Sequence, residues 1–180
     1  MSNLKVKIQK TKLALELEKH YDLSWDLKHQ FPYDAGFDLR ASIKETLILL
    51  PTGHTTVPTG LHVEFEDPNW EMQIRPRSGL AAKSGVTVLN APGTVDYGYR
   101  KEVQVILYNC DVYENFVIKP GDRIAQACFR EVPQVDFSYV SQISETINIE
   151  PIEEKGKSLA EEMKAKLLQK RGGFGSTGSQ

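Results

Sequence analysis

Three short stretches hold the side chains best suited to chemistry. The first, Asp34-Ala35-Gly36-Phe37-Asp38-Leu39-Arg40-Ala41, sets two carboxylates four positions apart. The second, Arg75-Pro76-Arg77-Ser78-Gly79, combines two guanidinium groups, a hydroxyl and a flexible backbone. Arginine forks and exposed N–H groups grip phosphate oxygens, so this combination suits anion binding. The third, residues 90–100, runs from Asn90 through Gly93, Val95, Asp96, Tyr97 and Tyr99 to Arg100. It reads as a hairpin between apolar strands that presents one carboxylate and two aromatic rings. Each stretch taken alone has a plainer reading. Arginine-rich turns commonly solvate a surface, and an aspartate in a glycine-containing turn is commonly a turn former. Other catalytic patterns are missing. There is no HExxH or GxSxG, and His20, His29, His54 and His62 show no ligand spacing. His62 reads as a solvated strand residue. Residues 79–84 half resemble a phosphate loop, but no glycine precedes Lys83 at the required place, and that loop needs a parallel α/β unit.

The elements that must position these groups are short strands cut by turns. Leu4, Val6 and Ile8 alternate with polar neighbours, as do Leu61, Val63 and Phe65, then Met72 and Ile74. Residues 45–50, Val86 to Val88, residues 102–108 and Ile124 to Phe129 read as further strands. Pro51-Thr52-Gly53, Asp67-Pro68-Asn69 and Pro120-Gly121-Asp122 punctuate them. Regular spacing with Gly and Pro between strands predicts an all-β sandwich or barrel. Two segments break the pattern. Residues 12–30 place Leu13, Leu17 and His20 at helical spacing and predict a short helix or an irregular insertion. Residues 158–170 form a better helix pattern, with Ser158 and Glu161 as a capping box and Leu159, Met163 and Leu167 on one face. The glycine-rich residues 171–178 that follow cannot build a core, and they predict a mobile arm.

Composition bounds the class. A chain of 180 residues with 40% hydrophobic content supports one packed domain plus a tail. Lys and Arg number 22 against 24 Asp and Glu, which argues against bulk phosphate neutralisation of a nucleic acid. No apolar run approaches the roughly 20 residues of a membrane helix, and the N-terminus lacks a signal-peptide core. Two cysteines, Cys110 and Cys128, are too few for a disulfide scaffold. These features predict a cytoplasmic protein (or one of a host's cytoplasm) with reduced thiols.

In combination the stretches are far more specific. They closely resemble the homotrimeric dUTPase family, whose five ordered motifs all appear in order: residues 34–41, 76–83, 90–100 running into Glu102 and Val103, 121–126, and 172–178. The resemblance covers residues 34–129 and the tail. It implies a jelly-roll-like β domain over residues 1–157, a helix at 158–170, and an arm at 171–180 that closes over substrate. It implies hydrolysis of dUTP to dUMP and pyrophosphate, which keeps uracil out of DNA and supplies dUMP for thymidylate synthesis. Asp96 would deprotonate the water that attacks the α-phosphorus in line. Aspartate is normally ionised at neutral pH, as a base must be. Mg2+ would chelate the triphosphate, with Asp38 acting on it mostly through water; turn or surface roles suit Asp34 better. Arg77, Ser78, Gly79 and Gln126 would cradle phosphates. Asn90, Gly93 and Val95 would read uracil, largely through backbone groups, and Tyr99 would pack under the deoxyribose. From the arm, Phe174 would stack on the base while Gly175 and Ser176 meet the phosphates. Each site would draw on three chains of a homotrimer, with no membrane and no direct nucleic-acid partner.

The chain departs from the family pattern in places. Gln169 stands where the family usually has the arm arginine, so Arg171 or Lys170 would supply that contact from a shifted position. Lys101 replaces a glycine after the third motif, and the segments at 12–30 and 158–170 are longer than usual. The related dCTP deaminases share fold and pocket. They typically carry Arg-Ser-Ser in the second motif, where this chain has Arg77-Ser78-Gly79, and they lack the hydrolase's Asp96, Tyr99 spacing. A nucleotide-sensing role toward another protein stays open as an added function.

Overall fold

The computed structural model describes residues 4–29 and 31–143. The predicted helix at 158–170 and the arm at 171–180 lie outside the described residues. The chain divides into one compact unit, Met1–Val135, and a second, Asp136–Gln180. Of the second unit, residues 136–143 are described; they are exposed and form neither helix nor strand.

Among its described residues the first unit holds eleven strands and two helices. In chain order they are β1 (Val6–Lys10), α1 (Lys12–Tyr21), β2 (Phe37–Arg40), β3 (Leu47–Leu49), β4 (His54–Pro58), β5 (Leu61–Phe65), β6 (Trp70–Arg75), α2 (Ser78–Ser84), β7 (Val86–Val88), β8 (Gly93–Val95), β9 (Gln104–Asn109), β10 (Phe116–Ile118) and β11 (Arg123–Glu131). All strand pairs are antiparallel. They form a four-stranded sheet β2-β11-β6-β8, a three-stranded sheet β4-β9-β7, and the pairs β1-β5 and β10-β3. With no parallel pair among the described residues, α2 cannot belong to a phosphate-loop α/β unit.

Period-two patterning sets which faces meet. On β5, Leu61, Val63 and Phe65 are buried, while His62 and Glu64 between them are only partly so. Val105 and Leu107 on β9, Met72 and Ile74 on β6, and Leu39 on β2 join the same core. On β11 the alternation breaks. The register shifts between Arg123 and Ala125, so two β11 residues oppose one on β2. Such a bulge lets adjacent Ile124 and Ala125 both turn inward.

The segment expected as helix or insertion contains α1, and it is tied into the core. Thr11 caps the helix, its Oγ1 accepting from Ala14 N–H at 3.2 Å. Ala14 and Leu17 form the buried stripe, and His20 is exposed. The helix rests on the turn between β4 and β5. There Gly60 has φ +73, and a Cβ on it would come 2.5 Å from the Ala14 Cβ. Trp25, 2% exposed, donates its indole N–H to the Thr59 carbonyl at 2.9 Å. A large aromatic with its one polar atom satisfied is a strong anchor.

Candidate active site

Three strands bring the first, second and fourth stretches together. Asp38 on β2 stands opposite Gln126 on β11, which stands opposite Arg75 on β6. Residues directly opposite each other share a face, so the three side chains form one row across the sheet. β6 then leaves the sheet through Pro76 and Arg77 and enters α2, whose first turn holds Ser78 and Gly79. Side-chain bonds lock this exit to the sheet. Gln126 Nε2 donates to the Pro76 carbonyl at 2.8 Å. Arg77 Nε donates to Asp38 Oδ1 at 2.8 Å, and Arg123 Nη1 donates to Asp38 Oδ2 at 3.1 Å.

The result is a polar cleft of about 460 Å³, lined by Asp38, Arg77, Ser78, Gly79, Arg123 and Gln126 on these elements. Lys28, Phe31, Asp34, Ala35 and Gly36 complete it. Ser78 and Gly79 are exposed, and a Cβ built on Gly79 meets nothing within 4 Å, so the backbone there is open to a ligand. Gly36 is the opposite case. A Cβ there would overlap Gln126 Oε1 and lie 3.1 Å from its Cδ, so a side chain at position 36 would make the Gln126 amide shift. Arg40 adds positive charge nearby. Burial first, then Arg123 beside it, push its guanidinium below the ordinary value. Asp34 takes the turn role expected of it, its Oδ2 accepting from Phe31 N–H at 2.8 Å.

The third stretch does not line this cleft. β8 pairs with β6, setting Val95 opposite Met72 and Gly93 opposite Ile74. Val95 and Gly93 are buried. The Val95 side chain therefore packs in the core, and only its backbone is left for recognition. Asn90 folds over Gly93, where a Cβ would come 3.1 Å from its amide nitrogen. Asp96 follows β8 in an exposed turn closed by Tyr99 N–H to the Asp96 carbonyl at 3.0 Å. Its carboxylate has no hydrogen-bond or ion-pair partner among the described residues. Tyr99 is partly buried against the core and its hydroxyl donates to the Glu102 carbonyl at 2.9 Å. Arg171, Phe174, Gly175 and Ser176 lie outside the described residues.

Sequence reasoning gave Arg123, Gly36 and Lys28 no role. Arg123 lies inside the fourth stretch, and Gly36 inside the first. Their partners, Asp38 and Gln126, stand 85 and 90 positions away, so only the strand pairing reveals them. Among the described residues no group of three or more His, Cys, Asp or Glu is arranged to hold a metal ion, and no helix is long and apolar enough to cross a membrane.

An antiparallel β protein with an arginine-lined cleft and open backbone at Ser78 and Gly79 offers the kind of groups that suit an anion. The sequence profile of dUTPases matches residues 24–156. A deoxyuridine 5'-triphosphate nucleotidohydrolase of Brucella melitensis is 44% identical over 169 residues, spanning 93% of this chain and 91% of that protein. One from Chlamydia pneumoniae is 43% identical over 148 residues, spanning 82% of this chain and 87% of its own. Among solved structures, a dUTPase from phage phi11 of S. aureus with a structural Mg(II) ion superposes with a TM-score of 0.63 at 16% identity, covering 78% of this chain and 99% of its own. At that identity the superposition speaks for the fold. The chain belongs to the dUTPase family.

Proposed function

We propose that the polar cleft holds the triphosphate of dUTP and that Asp96 supplies the base for its hydrolysis. As a dUTPase the chain converts dUTP to dUMP and pyrophosphate. The observation that carries the site assignment is the convergence of Asp38, Arg77, Ser78, Gly79 and Gln126 on one cleft from separate parts of the chain.

Arg77 and the open backbone at Ser78 and Gly79 bind phosphate oxygens, with the Gln126 side chain beside them. Fixed donors of this kind stabilise charge without reorganising as it develops. Asp96 takes a proton from a water molecule as the water oxygen bonds to the α-phosphorus. The α–β bridging P–O bond breaks, and pyrophosphate leaves with its electron pair. An exposed carboxylate with no protein partner is free to hold that water.

The donor set fits a magnesium ion carried mainly by substrate and water. Mg2+ keeps several waters and needs few protein carboxylates, and the cleft offers Asp38. Both Asp38 oxygens accept from arginines, yet a carboxylate has about four acceptor sites, so Asp38 can also hold metal-bound water. When bound, the ion offsets triphosphate charge and eases departure of pyrophosphate.

Uracil is read by Asn90 and by backbone groups at Gly93 and Val95. A site that donates and accepts at fixed positions rejects cytosine, whose 4-position inverts the pattern. The Tyr99 ring packs under the deoxyribose and leaves no room for a 2′-hydroxyl. On sequence alone, Arg171 (or Lys170), Phe174, Gly175 and Ser176 belong to the same nucleotide. The β domain is a jelly roll, and the protein works in the cytoplasm. A homotrimer in which different copies contribute Asp96 and Arg77 would bring the two together, and the absence of Asp96 from the Arg77 cleft of one copy supports that reading.

Pyrophosphate release from dUTP, dCTP, dTTP and UTP, with and without magnesium, tests this reading. The expected result is magnesium-stimulated release from dUTP alone. Deamination of dCTP instead, or equal release from UTP, would overturn it.

A further inference from the structure

The cleft has a second wall that the assignment above leaves unused. It comes from the segment between α1 and β2, and Lys28, Phe31 and Asp34 stand on it. Phe31 N–H donates to Asp34 Oδ2 at 2.8 Å, and Asp34 N–H donates back to the Phe31 carbonyl at 3.2 Å. The turn they close passes through Tyr33 at φ +71, a left-handed conformation unfavourable for an aromatic residue. At the other end Asp26 Oδ2 holds Lys28 Nζ at 3.0 Å, while Asp26 Oδ1 holds Lys10 Nζ at 2.8 Å. Lys10 ends β1, so this wall is tied to the sheet framework.

The charges of the cleft are unevenly committed. Arg77 and Arg123 both bond Asp38, so two of its positive charges share one carboxylate. Lys28 brings a third positive charge that Asp38 does not engage. Its side chain is 69% exposed, and its flexible stem can swing the ammonium away from Asp26. Asp26 would not be orphaned by that movement, because Lys10 still holds it. The exchange therefore leaves both charges paired in either position.

We propose that Lys28 is a substrate-binding residue, exchanging Asp26 for oxygens of the pyrophosphate portion of the triphosphate. The proposal rests on the reading of the cleft as the phosphate site. It assigns to the segment before β2 a part in holding substrate and in retaining the pyrophosphate product.

Lys28→Gln, Lys28→Arg and Asp26→Asn test it in steady-state dUTP hydrolysis, with inorganic pyrophosphate and dUMP as product inhibitors. Lys28→Gln should raise KM for dUTP and weaken pyrophosphate inhibition about tenfold each, with dUMP inhibition unchanged. Lys28→Arg should restore both, and Asp26→Asn should leave pyrophosphate inhibition as tight as in the parent or tighter. Parent-like pyrophosphate inhibition in Lys28→Gln overturns the proposal. So does an equal loss toward dUMP, or an Asp26→Asn protein that behaves like Lys28→Gln, since either would make the bridge merely structural. A parent protein that neither hydrolyses dUTP nor responds to pyrophosphate would instead sink the underlying assignment of the cleft.

Discussion

Asp96 follows β8 on an exposed turn, and its carboxylate, with no partner among the described residues, is free to act as the proposed general base. Asp96→Asn should lower kcat by about 10²–10⁴-fold while dUTP binding survives, because the amide keeps the shape and loses the basic lone pair. Turnover at the parent rate, measured alongside nucleotide binding by calorimetry, would remove Asp96 from the mechanism. Gly36 tests the other side of the site. A methyl group there must shift the Gln126 side-chain amide, whose Nε2 holds the Pro76 carbonyl at the exit of β6. Gly36→Ala should therefore raise KM for dUTP and cost about 1–3 kcal/mol of stability, read from kinetics and urea unfolding. An unchanged KM would mean that Gln126 is not needed where it stands. The two residues differ in how legible they are. Asp96 stands out through its place in the ordered motifs, since a carboxylate in a glycine-containing turn is by itself commonly a turn former. The need for glycine at position 36 comes from a side chain 90 positions away, and no local pattern carries it.

β5 and β6 declare themselves by alternation because each has one buried face, and they fall where Leu61, Val63, Phe65, Met72 and Ile74 place them; β2, β4, β8 and β10, three to five residues long, carry no such pattern and are not legible as strands in the sequence. Elements whose form depends on partners were harder to read. α2 spans seven residues with none of them buried, so it offers no apolar stripe to detect. The segment at 12–30 looked like an addition to the fold because its polar face dominates the sequence. Its two buried helix residues, with Trp25, instead tie it to the β4–β5 turn. A charge network finishes this attachment. The Lys10 ammonium first, then Lys28, holds the Asp26 carboxyl well below the usual carboxylate range, and Lys10 with the Trp25 N–H lowers Glu18. A depressed carboxylate contributes stability above its unfolded pKa, about 4, and loses it as pH falls toward the folded value. Asp26→Asn should thus be less stable than the parent at pH 7, and the gap should close as pH drops below about 4. Urea midpoints collected across this range check the sign; a gap independent of pH would show that the ionised form of Asp26 does not matter.

At the scale of the whole molecule, the arrangement within one copy poses a geometric problem. Arg77, Gln126 and Asp38 line one cleft, while Asp96 and Asn90 sit on the β7–β8 side of the chain and do not line it. A base must come within hydrogen-bond reach of the water it activates, so a working site needs these groups together. Linear spacing could not reveal this. The second and third stretches are only 11 residues apart in sequence, which suggests closeness until the strands are laid out. If separate copies of the chain complete each site, mutations in the two stretches should complement. Arg77→Ala and Asp96→Asn proteins, each nearly inactive alone, would be unfolded together, refolded and assayed on dUTP. Random assembly gives about one quarter of the sites an intact Arg77 from one copy and an intact Asp96 from another, and activity should recover to that fraction. Sites built within single copies would recover nothing, since every copy then carries one of the two lesions.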